Sequence, residues 1–133
     1  MSTDPLVSTQ WLADHLKDSN VRVLDASFKL PGVTPLPKDD FLSAHIPGSV
    51  FFDVDAVSDH TSDLPHMFPS AEQFGRDVGS LGVGNDDTVV VYDAGGWVAA
   101  PRAWWRSNDT LPAEMLRRTS REYSCTSPDL WTE

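Results

Sequence analysis

Thr88-Val89-Val90-Val91-Tyr92-Asp93 is an unbroken run of β-branched and aromatic residues ending on an acid. Such residues favour strands, and a run apolar on both faces is the pattern of a strand buried inside a parallel sheet. Ala94-Gly95-Gly96 turns directly after it, and Ala99 to Trp105 predicts a helix with Pro101 in its first turn. Upstream, Val21 to Ala26 and Ser49 to Phe52 predict two further strands. Ser8 heads a predicted helix over Thr9 to Leu16, with Leu12, His15 and Leu16 on one face. Ser70 heads another, from Ala71 to about Leu81, with Phe74, Val78 and Leu81 apolar. Phe41 to His45 reads as a helical turn, and the proline-rich Pro31 to Pro37 as a loop. Strands alternating with helices predict an α/β fold with a doubly wound parallel sheet. In such sheets ligands bind beyond the carboxyl ends of the strands. Those ends carry Asp25, Asp53 to Asp55 and the loop that begins at Asp93.

The composition narrows the class. The chain has 133 residues, 40% of them hydrophobic, with 10 Lys and Arg against 20 Asp and Glu, a net charge of −10. That balance opposes a generic nucleic-acid or anionic-membrane partner. Cys125 is the single cysteine, so neither an intrachain disulfide nor a multi-cysteine zinc site is expected. No apolar run approaches bilayer length and Met1 to Pro5 has no leader character, so a cytoplasmic location is expected. Asp53 to Pro69 is a long polar stretch, and loops of that length inside a domain are usually functional. Its Asp53, Asp55, Asp59, Asp63, His60 and His66 have oxygen and nitrogen donors, but the spacing fits no twelve-residue calcium loop. A solvated acidic loop, with no metal and no cofactor, is the expectation. The glycines of Gly79 to Gly84 lack phosphate-cradle order and precede their strand, which argues against a nucleotide site.

Phe41-x-x-x-His45-Ile46-Pro47-Gly48 resembles the amino-terminal signature of rhodanese-type sulfurtransferases, with Ser49 where the family usually has Ala. Val23 to Ser27, Phe51 to Asp59 with Pro65-His66-Met67, and Val89 to Asp93 with Ala100-Pro101-Arg102-Ala103-Trp104-Trp105 extend the likeness. Together they resemble the first, non-catalytic domain of the tandem 3-mercaptopyruvate and thiosulfate sulfurtransferases. The likeness covers roughly residues 6 to 105. By that resemblance residues 1–105 are a partial rhodanese-like domain, and residues 106–133 a divergent, poorly ordered tail in which Pro112 to Arg118 has some helical character. The family sheet runs 1-5-4-2-3, and no strand pattern after Trp105 supplies number 5, so one central strand is expected to be missing. A truncated or frame-shifted product of a tandem gene is the corresponding hypothesis, with a short protein of unrecognised tail fold as its rival.

What the resemblance implies for chemistry turns on one residue. In the family a cysteine at a strand end, cradled by backbone N–H groups that lower its pKa, carries sulfur as a persulfide. That cysteine belongs to the second domain, and here the matching loop begins with Asp93, which cannot form a persulfide. No catalytic residue is therefore expected in this chain. Asp55 and His66 match positions near the cleft and are suited to acid–base work; the alternative is a solvated carboxylate and a histidine bonded to backbone. His45, Pro47, Gly48 and Arg102 are the structural signature: His45 ends a helix before the turn, and Arg102 is expected to pair with Asp25 or Asp93, or else to bind an anion. Trp97, Trp104 and Trp105 read as core or interface aromatics, and Cys125 as an incidental tail thiol rather than a reactive one. The family activity is sulfane-sulfur transfer from 3-mercaptopyruvate or thiosulfate, which the residues do not distinguish, to a thiol or cyanide. The expected partners are that donor, in a full-length relative only, and the missing second rhodanese domain. The alternative is a non-catalytic binding or regulatory module.

Overall fold

A computed structural model describes residues 6–94, 99–103 and 116–119. In chain order the elements are β1 (Leu6–Val7), α1 (Thr9–His15), β2 (Val21–Asp25), α2 (Pro37–Ser43), β3 (Val50–Phe51), α3 (Ala71–Ser80), β4 (Thr88–Tyr92) and β5 (Leu116–Thr119). Residues 100–103 are also helical. The strands form one five-stranded sheet in the order β1-β5-β4-β2-β3, and every pairing is parallel.

The sheet is covered on both sides because β4 is apolar on both faces and β2 adds Val21 and Val23 to one and Leu24 to the other. Val89 and Val91 pack with Leu24, Phe52, Phe74 and Val78 on one face. Val90 and Tyr92 pack with Val21, Val23, Leu12 and Ile46 on the other. Period-two alternation thus splits one continuous run between two cores, which is how a buried parallel strand spends its side chains. The two best-capped helices form where their serines predict. Ser8 Oγ accepts the Trp11 N–H at 3.0 Å, and Ser70 Oγ accepts the Gln73 N–H at 3.2 Å, each satisfying an orphan donor of a first turn.

Two expectations need correcting. The helix before the signature turn begins at Pro37, inside the stretch read as loop, and ends at Ser43. Pro37 occupies its first position, where a missing N–H costs nothing, and the Asp39 side chain accepts the Leu36 N–H at 3.3 Å. The central strand is also not missing. Leu116–Thr119 lies between β1 and β4, with Leu6 opposite Arg118 and Val89 opposite Leu116. It is a strand where the sequence hinted at helix. Without it, β1 and β4 would each expose a row of unpaired N–H and C=O groups, a strong bias toward any segment that can pair. Trp97, Trp104, Trp105, Cys125 and the rest of the expected tail lie outside the described residues.

Ile46 to Ser49 is a tight turn: the Ser49 N–H donates to the Ile46 carbonyl at 2.9 Å. Pro47 presets φ at the second position and Gly48 takes φ 76° at the third, the requirements of a type II turn. His45 stands just before it, its ring stacked on Phe41 at 4.1 Å and its Nδ1 2.7 Å from the Phe41 carbonyl. The signature is thus the means by which the chain leaves α2 and enters β3.

Candidate functional site

The carboxyl ends of β2, β3 and β4 meet at one edge of the sheet. Asp25, at the end of β2, is buried. Burial raises its pKa, opposed by hydrogen bonds from Ser27 and Tyr92. Tyr92, opposite it in the register, has its hydroxyl pKa raised by burial and by the Asp25 charge. That hydroxyl also accepts the Ile46 N–H at 3.3 Å and lies 3.4 Å from Ser49 Oγ. Tyr92 therefore ties the signature turn to the sheet, and Asp25 lies buried beside it.

After β4, Asp93 caps the helical turn that follows. Its Oδ2 accepts the N–H groups of Ala99 at 3.1 Å and Ala100 at 3.0 Å, as an acid at a helix start should. On the other side of the loop the Ala94 N–H donates to Ser27 Oγ at 2.9 Å. The head of this loop is thus a carboxylate that starts a helical turn, as the sequence reading of Asp93 in place of a thiol expects.

The long polar stretch folds back on itself. Asp53 Oδ1 accepts the N–H groups of Asp55 at 3.0 Å and Ala56 at 3.1 Å. Asp59 Oδ1 does the same for Thr61 N–H at 2.9 Å and its hydroxyl at 2.7 Å, bonds that lower the Asp59 pKa. The Asp59 N–H closes the loop on the Met67 carbonyl at 2.8 Å. Aspartates are frequent here because their side chains replace backbone turns. Among the described residues no three His, Cys, Asp or Glu side chains come together as a metal would need.

Closing the loop brings Asp55 and His66 together, eleven positions apart in the chain, with Nδ1 and Oδ1 2.5 Å apart. In its neutral form the ring can donate Nδ1–H to this carboxylate, which leaves Nε2 as the acceptor nitrogen. The pair is part-exposed, at 36% for His66 and 62% for Asp55. A cavity of about 340 Å³ opens beside it, walled by Phe28, Leu30, Val33, Leu36, Phe51 and Asp55. Exposed Leu64, Met67 and Phe68 rim the same loop.

Arg102 does not pair with Asp25 or Asp93, as the sequence led us to expect. Its guanidinium donates to the His66 carbonyl and stands 4.5 Å from the Phe68 ring centroid. Burial lowers the Arg102 pKa, and the nearby Asp55 charge opposes that shift. Asp93 and Asp25 are already engaged by N–H groups of their own loops, so the arginine reaches past them. Two participants escaped the sequence reading. Phe28 sets its ring edge against His66 at 5.2 Å, and Phe68 lies under Arg102. Their signal was position alone: one follows a strand end and the other lies two residues beyond His66.

Known proteins resemble this chain in sequence and fold. The family model for the Rhodanese-like domain matches residues 8–116. The 3-mercaptopyruvate sulfurtransferase of Escherichia coli K12 is 46% identical over 106 residues, covering 79% of this chain but 38% of that protein. The mitochondrial thiosulfate/3-mercaptopyruvate sulfurtransferase 1 of Arabidopsis thaliana is 41% identical over 104 residues, covering 78% of this chain and 27% of that protein. The crystal structure of SseA, a 3-mercaptopyruvate sulfotransferase of Escherichia coli, superposes with a TM-score of 0.78 at 41% identity, over 88% of this chain and 45% of that one. The chain thus spans less than half the length of each of these relatives. No helix among the described residues is long and apolar enough to cross a membrane.

Proposed function

Because the chain belongs to the rhodanese-like domain family, we propose that it contributes the acid–base half of a sulfur-transfer cleft and lacks the half that carries sulfur. The observation that carries this is Asp93: the residue at the head of the loop after β4 is a carboxylate committed to the Ala99 and Ala100 N–H groups. A persulfide needs a thiolate there. The Asp55–His66 pair, by contrast, is assembled and open. With Nδ1–H given to Asp55, neutral His66 can take a proton at Nε2 from an entering thiol, and the imidazolium so formed can return it to a leaving group.

The complementary half is a second rhodanese-like domain bearing the cysteine. The donor is 3-mercaptopyruvate or thiosulfate, the compounds in the names of the similar enzymes. The cytoplasm, where acceptor thiols stay reduced, is the proposed location. A binding or regulatory module is the second reading, favoured by the exposed Leu64, Met67 and Phe68 around the pair.

The test is thiocyanate formation from cyanide with each donor, using the isolated chain and Cys125→Ser. No turnover by either protein is expected. Turnover in the wild type that disappears in Cys125→Ser would replace this reading with a Cys125 enzyme.

A further inference from the structure

His66 is the one non-glycine among the described residues with φ in the left-handed region, at 58°. L side chains adopt that conformation rarely, and where it persists the surroundings hold it. Three contacts hold it here. The Arg102 guanidinium donates to the His66 carbonyl, Phe28 sets its edge on the imidazole, and Asp55 takes the ring at Nδ1. We propose that Arg102 is a positioning residue, which fixes the His66 backbone so that the imidazole meets Asp55 with Nε2 outward.

The argument is geometric. At a left-handed residue the direction of the side chain relative to its carbonyl differs from that in ordinary backbone. Anchoring the carbonyl therefore constrains the Cα–Cβ direction, and the Asp55 and Phe28 contacts select the rotamer that follows. The anchor is held in turn. Arg102 lies on the helical residues 100–103, whose start is fixed by Asp93. The guanidinium lies over Phe68, two residues after His66, so one group grips the loop at two places. Arginine suits this because its planar fork donates along its edge while its face rests on a ring. Lysine carries the charge but not that shape.

The inference rests on the acid–base reading of Asp55 and His66, and one experiment separates the two. Long-range proton–nitrogen NMR of the full chain reads which ring nitrogen of neutral His66 carries the proton. The wild type is expected to favour Nδ1–H. In Arg102→Met that preference falls roughly tenfold, the worth of a lost charge-assisted hydrogen bond to Asp55, and Arg102→Lys restores only part of it. A merely structural arginine would lower the melting temperature and leave the tautomer ratio unchanged; an unchanged ratio in Arg102→Met overturns the inference alone. A wild-type ring that already favours Nε2–H overturns the Asp55–His66 pair, and the inference with it. Should Arg102→Met fail to fold, Phe68→Leu decides. It removes the platform under the guanidinium and is expected to shift the ratio in the same direction, and no shift overturns the proposal.

Discussion

Asp25 and Asp93 end neighbouring strands of the sheet and are put to opposite uses. Asp93 caps a helical turn by accepting the Ala99 and Ala100 N–H groups. Asp25 is buried, and desolvation outweighs the hydrogen bonds that would favour its charge. Its pKa in the folded chain is therefore raised above the ordinary 3.8. Between the two values the folded state binds a proton that the unfolded state releases. The stabilisation from this group is complete below the unfolded value and is lost as pH rises through the folded one. Asp25→Asn cannot ionise, so its stability relative to wild type should improve as pH rises from 4 toward neutrality. Urea midpoints at a series of pH values test this, and a difference that stays flat with pH would place the Asp25 carboxyl in water. Gly48 offers a cleaner backbone test. At φ 76°, with open space where a Cβ would go, Gly48→Ala costs only the left-handed conformation, about 1–2 kcal/mol. A loss well below that in the same titrations would mean the Ile46–Ser49 turn relaxes.

At the scale of elements, β4 is readable because it is apolar on both faces and β2 because its β-branched residues alternate, so no helical period competes. The capped starts of α1 and α3 were readable for a local reason, a serine at the head of each. The start of α2 was not, because three prolines in seven positions advertise a loop while one of them suits a helix's first turn. Least readable was β5. Leu116-Arg117-Arg118-Thr119 has no alternation and little β-branching; it is a strand because β1 and β4 leave a place for one. The site divides the same way. Asp55 and His66 are local enough to mark a loop, whereas Arg102 reaches a carbonyl 36 residues away, and backbone acceptors leave no trace in side-chain identity. The position of β5 can be tested through its backbone. Arg117 lies opposite Val90, and Pro at 117 removes a ladder donor from a strand flanked on both sides. Arg117→Pro should lower the melting temperature and speed amide exchange in β4 more than in β2. Equal exchange in wild type and variant would mean β4 keeps an open edge.

Across the whole molecule, the charge is lopsided, 20 acidic residues against 10 basic and a net −10. The ion pairs of the described residues do little to offset it. Arg76–Glu72 is a surface helix pair, 68% and 85% exposed, and such pairs are worth about 0–1 kcal/mol. Arg22–Asp87 is better sheltered, and the Arg22 Nε also donates to the Gly82 carbonyl at 3.2 Å, but it is a single contact. Repulsion among the surplus carboxylates acts over longer distances, so salt screens it more than it weakens pairs in contact. The Debye length falls from about 30 Å at 0.01 M to about 10 Å at 0.1 M. Raising sodium chloride across that range should therefore raise the melting temperature at neutral pH, and the rise should shrink as the carboxylates are protonated near pH 4. The opposite slope would mean that attractive pairs dominate the surface. The second domain proposed above would meet the same surplus: a basic partner approaching the rim of Leu64, Met67 and Phe68 should associate more slowly as salt is added.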